Sequence, residues 1–435
     1  MPADAASAIV ARPRAGRRGA SPAGAHEARG YGAGMRVPLL VGLSAATTIP
    51  AQTPLAVPVG ADLDRVVELA AEVRPSARQL AWQATGMNAF VHFGINTFTD
   101  REWGEGDEDP ALFAPTDFDA GQWIATFRAA GMRGVVLTCK HHDGFCLWPS
   151  TTTERDVEAA GFRGGEGDVV AEVAAACRAA GLRFGVYLSP WDKSQPTFGT
   201  KAYQAVFETQ LRELCTGYGP LFEVWFDGAN CPADDPDVFD WQAVFGVVRE
   251  LQPDAVIAIT GPDVRWVGNE AGVTRASEWS VLPLDRPAPG PFASDRESWR
   301  ALWRLRALNQ APDLGSRTRL ADARALCWWP AETDVSIRPG WFWHAREDAP
   351  VKPLAQLLDC YYGAVGGNAV LLLNVPPDRR GRIPEPDAAV LRDLGRVLDA
   401  TFAVDLAASD GARTRRYEKV GEVYLPRPTT VDLFD

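Results

Sequence analysis

The sequence predicts an α/β protein built as a (β/α)8-like TIM barrel. The first observation is size, because 435 residues with 46% hydrophobic content suffice for a barrel of about 250 residues plus extensions. The second is that strand-like and helical runs alternate, which is typical of a parallel sheet with helices outside it. The third is that polar and aromatic residues cluster directly after successive strands, as a barrel's binding face requires. No Gly-x-Gly-x-x-Gly follows the first strand, which weakens the alternative of an open dinucleotide-binding sheet.

The predicted barrel domain covers residues 61–402. Its strands are expected at 90–93, 134–139, 184–189, 222–226, 255–260 and 369–374. Its helices are expected near 119–130 and at 168–180, 203–218, 240–251, 354–364 and 386–402. The region 261–350 is irregular and rich in Trp, and we predict that it forms long loops over the barrel mouth.

The two ends differ from the barrel in composition. Residues 1–60 show no periodicity and are predicted to be disordered, with a possible signal peptide that begins at Met35. If translation starts at Met35, the protein is expected to be secreted or periplasmic. Residues 403–435 are predicted to be a polar extension that begins a β-rich domain. No apolar run reaches the roughly 18 residues that a membrane span needs.

Charge and cysteine content exclude several function classes. The net charge of −12 and the estimated pI of 5.1 argue against binding to nucleic acid or to anionic membranes. Seven cysteines without a Cys-x-x-Cys pair indicate neither a disulfide framework nor a zinc site. We therefore expect no metal and no cofactor. The sequence does not indicate an oligomeric state.

The stretch 222–230 combines a short buried strand with an acid at its end. Apolar residues lead to Asp227, and Gly228 then allows the backbone to turn or a ligand to approach. Because side chains at the carboxyl ends of barrel strands face the active site, Asp227 is a candidate catalytic nucleophile. The alternative is that Asp227 caps the next helix or closes a turn, as most Asp-Gly pairs do.

Three of the five histidines lie in the clusters that follow strands, at His92, His141 and His142. They could bind a metal as in metal-dependent barrel hydrolases. Adjacent residues of a strand point to opposite sides, however, and the first strand carries no His-x-His. Hydrogen bonding to hydroxyl groups is therefore the better role for neutral imidazoles and Trp N–H groups here.

Several motifs together resemble the α-L-fucosidases of glycoside hydrolase family 29. They are Phe-Gly-x-x-Thr-Phe after His92, Glu-Trp-Gly at 102–104, Lys-His-His-Asp-Gly-Phe at 140–145, Tyr-Leu-Ser-Pro at 187–190 and Trp-Phe-Asp-Gly at 225–228. The resemblance covers roughly residues 80–400. The runs 261–270 and 336–342 resemble the branch of that family that prefers α-1,3/1,4-linked fucose.

The resemblance implies a retaining mechanism on a fucosylated oligosaccharide or glycoconjugate, in which Asp227 is the nucleophile. The implied substrate-binding residues are His92, Glu102, Trp103, His141, His142, Tyr187, Trp225, Arg265 and Trp341. Glu270 resembles the acid/base of that branch, and its loop after the next strand supplies the apolar neighbours that a raised pKa requires. Glu332 is the alternative acid/base, and Glu278 is the third candidate.

Two other functions are considered beside the resemblance, and the chain is expected to differ from many family members in one respect. The chain could be a non-catalytic fucose-binding relative, although a lectin would not need both Asp227 and a nearby Glu. It could also be a metal-dependent barrel hydrolase. Many relatives carry a β-sandwich after the barrel, and we expect this domain to be truncated or absent here.

Overall fold

The computed structural model describes residues 54–229, 238–259, 261–276, 278–285, 311–347 and 350–404, together with two short strands beyond them. The predicted signal peptide and nearly all of the predicted disordered segment lie outside the described residues. So does most of the extension 403–435.

Thirteen strands occur in the described residues. They are β1 (Leu55–Ala56), β2 (Met87–Val91), β3 (Gly134–Lys140), β4 (Arg183–Leu188), β5 (Glu223–Phe226), β6 (Val256–Ile259), β7 (Arg265–Trp266), β8 (Val281–Leu284), β9 (Ala325–Trp328), β10 (Ala331–Ser336), β11 (Ala369–Asn374), β12 (Arg413–Arg416) and β13 (Gly421–Tyr424). The described helices are α1 (Leu63–Glu72), α2 (Ala77–Gln83), α3 (Ile95–Thr99), α4 (Ala120–Ala129), α5 (Val169–Ala180), α6 (Lys201–Gly217), α7 (Trp241–Leu251), α8 (Arg317–Leu320), α9 (Leu354–Ala364) and α10 (Glu385–Thr401).

Eight of the strands form one parallel sheet in the order β6-β5-β4-β3-β2-β11-β10-β7. Its edge strands β6 and β7 are separated by only a short connection in sequence, and the Val264 N–H donates to the Ile257 carbonyl at 3.3 Å. The sheet therefore nearly closes on itself. This arrangement confirms the predicted (β/α)8-like barrel.

Helices cover the outside of the barrel because each presents an apolar face to the strands. Asp119, Asp168 and Asp240 accept backbone N–H groups at the starts of α4, α5 and α7, at 3.0, 2.8 and 2.9 Å. Aliphatic and aromatic side chains fill the layer between these helices and the sheet. The expected alternation of strand and helix thus holds for most of the barrel.

The interior of the barrel is a separate core made largely of aromatic side chains, including Phe90, Tyr187 and Trp225. Helix α2 contributes Trp82 to it, and the Trp82 indole donates to Glu223 Oε2 at 3.1 Å. Since Glu223 is the first residue of β5, α2 closes the amino-terminal end of the barrel. The other end remains available for a pocket.

The prediction of loops for residues 261–350 is wrong in part. Strand β10 is a fully buried member of the barrel, and β8 and β9 form an antiparallel sheet with β1 in the order β1-β9-β8. The residues of β10 are Ala-Glu-Thr-Asp-Val-Ser. A central strand with acids at alternate positions lacks the apolar pattern by which buried strands are recognised.

Strands β12 and β13 pair as an antiparallel hairpin after the barrel. Among the helices that the structure describes, none has the length and apolar content that a bilayer crossing requires.

Candidate active site

A pocket of about 270 Å³ opens at the carboxyl ends of the barrel strands. Its lining residues come from the ends of the parallel strands and the loops after them. They are Phe90, His92, Glu102, Trp103, His141, His142, Tyr187, Trp225, Asp227, Ala229, Glu270, Asp334 and Trp341. The pocket therefore brings together Asp227, Glu270 and every predicted sugar-binding residue except Arg265.

Asp227 follows β5 directly, and both of its carboxylate oxygens are oriented. The Tyr187 hydroxyl donates to Oδ2 at 2.8 Å, and the Ala229 backbone N–H donates to Oδ1 at 2.7 Å. The Tyr187 ring is stacked on the Trp225 indole with a centroid distance of 5.2 Å, which holds the hydroxyl in place. Asp227 thus closes a turn with one oxygen and presents the other to the pocket, while the cap of α7 is Asp240.

His92 presents a hydrogen-bond acceptor to the pocket. Its Nδ1 lies 2.8 Å from Asn374 Oδ1, and the Asn374 amide is oriented because its NH₂ group donates to Ser336 Oγ and to the Trp341 carbonyl. Nδ1 must therefore carry the proton. Burial lowers the pKa of His92 to about 3, so the ring is neutral and Nε2 has a free lone pair.

The same logic assigns the proton of His142. The Ser189 hydroxyl donates to the Trp191 carbonyl at 2.8 Å, so its oxygen accepts from His142 Nδ1 at 2.7 Å. Burial lowers the pKa of this imidazole, which leaves Nε2 as an acceptor 3.9 Å from Asp227 Oδ2. His92 and His142 are thus suited to accept hydrogen bonds from hydroxyl groups of a bound molecule.

His141 lies between these groups and is buried. Its ring is nearly parallel to that of Tyr187, at an interplanar angle of 15° and a centroid distance of 5.8 Å. Burial lowers the pKa of His141 well below its usual value, and the neighbouring imidazoles lower it further. The histidine cluster is therefore uncharged near neutral pH and suits a neutral, hydroxyl-rich ligand.

Glu102 connects two loops at the pocket rim. Its Oε2 accepts from the Trp341 backbone N–H at 2.9 Å, and its Oε1 accepts from Phe342 N–H at 3.3 Å and contacts His344 Nε2 at 2.5 Å. His344 is buried, and its Nδ1 lies 2.9 Å from Asp100 Oδ1. Glu102 therefore fixes the loop that carries Trp341, in addition to lining the pocket.

Glu270 lies at the pocket rim in the loop after β7. The Trp341 indole donates to its Oε2 at 3.2 Å. Partial burial raises the pKa of Glu270, and the negative charge of Asp227 raises it further, although the indole bond opposes both. One oriented carboxylate and one carboxyl with a raised pKa in the same pocket are the two groups that acid-assisted displacement at a sugar's anomeric carbon requires.

No group of His, Cys, Asp and Glu side chains suited to a metal ion occurs in the described parts of the chain. The six described cysteines are free and buried, and none of them lines the pocket.

The sequence model of a known family matches residues 77–401, and that family is described as alpha-L-fucosidase. The chain belongs to the α-L-fucosidase family. A curated relative, Alpha-L-fucosidase 1 of Arabidopsis thaliana, is 43% identical over 335 residues, which cover 77% of this chain and 62% of the relative.

Two solved structures of other proteins are similar to this chain. A Bacteroides ovatus protein assigned to the α-L-fucosidases has 48% identity and a TM-score of 0.75, covering 83% of this chain and 61% of that one. A Ruminococcus gnavus glycoside hydrolase family 29 fucosidase in complex with fucose has 30% identity and a TM-score of 0.66, covering 84% and 72%. The chain thus spans about three fifths of the length of its Arabidopsis and B. ovatus relatives.

The structure corrects the prediction that Arg265 binds sugar. The Arg265 guanidinium is fully buried and does not line the pocket. It donates to Glu278 Oε2 at 2.8 Å and to the Trp329 carbonyl at 3.0 Å. Glu278 also pairs with Arg275, which removes it as an acid/base candidate. Arg265 precedes Trp266, whose indole bonds to the pocket residue Asp334, so the Arg265 side chain points to the opposite, outer face of the barrel.

Glu332 is the predicted alternative acid/base, a role that requires a place in the pocket. The structure places it elsewhere. It is fully buried in the barrel interior, accepts from the Trp225 indole at 2.7 Å and faces Glu223. Burial and the Glu223 carboxyl raise the pKa of Glu332 well above its usual value. Its un-ionised carboxyl lies beneath the pocket and does not line it.

Asp334 is a pocket residue that sequence reasoning missed. It is two residues beyond Glu332 on β10 and therefore on the same inward face. The alternating pattern Glu-x-Asp-x-Ser at 332–336 is the signal that could have identified it, had the segment been recognised as a barrel strand.

Proposed function

We propose that this chain is a retaining exo-α-L-fucosidase that releases terminal fucose from α-1,3/1,4 branches of oligosaccharides or glycoconjugates. The observation that carries the proposal is the pairing of an oriented Asp227 with Glu270 in one pocket. Family membership supports the choice of sugar, as does the R. gnavus relative, whose structure is a complex with fucose.

In the first step, Asp227 Oδ2 attacks the anomeric carbon and the bond to the aglycone oxygen breaks. Glu270 donates its proton to that departing oxygen, so its raised pKa suits this task. In the second step, Glu270 removes a proton from water, and the water oxygen displaces the Asp227 carboxylate. Two inversions at the same carbon give net retention of configuration.

The histidines act in binding rather than in proton transfer. The neutral Nε2 atoms of His92 and His142 accept hydrogen bonds from sugar hydroxyls, while aromatic faces such as Trp341 pack against the apolar side of the ring. The pocket admits a single sugar residue at a chain end, which supports the exo mode. The preference for α-1,3/1,4 linkages rests on the resemblance of the runs 261–270 and 336–342 to that branch of the family.

The test compares the full chain with Asp227→Ala and Glu270→Ala, using a Lewis-type trisaccharide and an aryl α-L-fucoside. We expect Asp227→Ala to lose more than about 10³-fold of the activity on both substrates. Glu270→Ala should lose the trisaccharide activity but keep much of the formation of the fucosyl-enzyme from the aryl fucoside, because a good leaving group needs little protonation.

Proton nuclear magnetic resonance of the first fucose released tests the stereochemistry. The α-anomer is expected, and initial release of the β-anomer would contradict the retaining mechanism. A folded wild-type chain that binds fucose but releases none from either substrate would favour a non-catalytic binding protein. Loss of wild-type activity on treatment with chelators would favour the metal-dependent alternative.

A further inference from the structure

Asp334 is a pocket carboxyl that takes part in neither of the two displacement steps. It is 3% exposed, lies on β10 and lines the same pocket as Asp227 and Glu270. The Trp266 indole donates to its Oδ1 at 2.8 Å. In the described parts of the chain, Trp266 is the only other residue that donates a hydrogen bond to this carboxyl, which also receives the backbone N–H of Asp334 itself.

Asp334 is surrounded by groups that disfavour its charge. Burial raises the pKa of this carboxyl well above its usual value, and the carboxyls of Glu270 and Glu332 raise it further. The indole bond of Trp266 opposes the shift without cancelling it. Because Oδ1 accepts the indole N–H, Oδ2 is the oxygen on which we place the proton of the un-ionised carboxyl.

Among the described residues that line the pocket, the remaining N–H donors without a protein acceptor are the Trp103 indole and the neutral His141 ring. His92 and His142 each offer a lone pair at Nε2. The indole N–H groups of Trp225 and Trp341 are already donated to Glu332 and Glu270. A sugar hydroxyl has lone pairs as well as a proton, so a ligand fully enclosed here needs a donor to avoid a buried unsatisfied oxygen.

We propose that Asp334 is a further substrate-binding residue, whose un-ionised Oδ2–H donates a hydrogen bond to an oxygen of the sugar in the pocket. The proposal rests on the proposed function, since it takes fucose as the ligand. It adds a neutral carboxylic acid as a donor to a pocket whose other carboxyls orient loops or carry out the displacement.

Calorimetric titration with L-fucose on Asp334→Asn and Asp334→Leu tests it. Asn keeps an acceptor for Trp266 and places an NH₂ donor where Oδ2–H was, so its Kd should stay within about threefold of wild type. Leu has a similar shape and no donor, so its Kd should rise about 10-fold or more. A Leu variant that binds fucose like wild type would overturn the proposal. An Asn variant as weak as Leu would also overturn it, because the carboxyl would then act as an ionised acceptor.

Two control variants distinguish loss of the Oδ2–H donor from disturbance of β10 or of the indole bond. Thr333→Val changes the neighbouring buried residue of β10, whose side chain points to the opposite face, and it should leave the Kd unchanged. Trp266→Phe removes the indole N–H together with part of the ring, and its effect should still be smaller than that of Leu; an equal effect would assign the loss to the Trp266 contact and refute the proposal.

Misfolding of a variant and failure of the proposed function can each be distinguished from failure of the Asp334 proposal. If Asp334→Leu does not fold, the Asn variant decides alone, since retention supports the donor and loss refutes it. If the folded wild type neither binds fucose nor cleaves a fucoside, the proposed function fails and this assignment fails with it.

Discussion

The hydrogen bond from Tyr187 to Asp227 gives the sharpest prediction about the proposed nucleophile. In Tyr187→Phe the ring keeps its stacking on Trp225, and only the hydroxyl 2.8 Å from Asp227 Oδ2 is lost. A hydrogen bond to a charged group contributes about 1.5–3 kcal/mol, which corresponds to about 10- to 150-fold in rate. The low exposure of the Asp227 side chain, 21%, limits how well water can replace the donor.

We expect this loss in kcat, because in the proposed mechanism the Asp227 carboxylate is the leaving group when the fucosyl-enzyme is hydrolysed. Burial raises the pKa of Tyr187 well above its usual value, so the hydroxyl stays protonated as a donor throughout the assay range. Stopped-flow measurement with an aryl fucoside should show a burst of aryl alcohol as the intermediate accumulates. A kcat within about twofold of wild type, in a folded variant, would refute the reasoning.

Tyr218→Phe is a matched control. The Tyr218 hydroxyl donates to Asp168 Oδ2 at the same distance of 2.8 Å, but Asp168 caps α5 and neither residue lines the pocket. This variant should lose about 1.5–3 kcal/mol of the free energy of unfolding and keep its kcat. A comparable loss of kcat in both variants would show that the assay reports general destabilisation.

Two further predictions concern Glu270 and Arg265. The pKa of Glu270 is raised, and in the proposed mechanism its protonated form is the active one, so kcat/KM on an oligosaccharide should fall as pH rises through that pKa. A Glu270→Gln profile that keeps the same alkaline fall would contradict this role. Arg265→Met removes one of the two arginine partners of the buried Glu278 and should lower the free energy of unfolding by about 1.5–3 kcal/mol in urea titrations, with the KM of the folded variant within about twofold of wild type. A large rise in KM at unchanged stability would return Arg265 to sugar binding.

The sequence alone determined which elements lie where and which of their ends carry chemistry. Strands β3, β4, β5 and β11 were predictable within a residue or two, because buried parallel strands are short apolar runs bounded by turn residues. Parallel strands in a barrel bring their carboxyl ends to one face, so residues as distant in sequence as His92 and Trp341 could be expected in one pocket. That expectation needed no contact information.

The depth of each side chain along its strand was decided only by the tertiary structure. Glu332 and Asp334 share a face of β10, yet two residues of a strand span about 6.6 Å, which separates the barrel interior from the pocket. Arg265 lies on the outer face of β7, and its partner Glu278 comes from a different segment. No local pattern reports the level at which a strand enters the barrel.

The proton positions were decided in the same way. His92 owes its tautomer to Asn374, which is 282 residues away in sequence, and His142 owes its tautomer to Ser189, 47 residues away. The sequence specified imidazoles at strand ends, whereas the fold specified which nitrogen of each faces the ligand. The physical reason is that a neutral imidazole takes its tautomer from the partner that packing places against its other nitrogen.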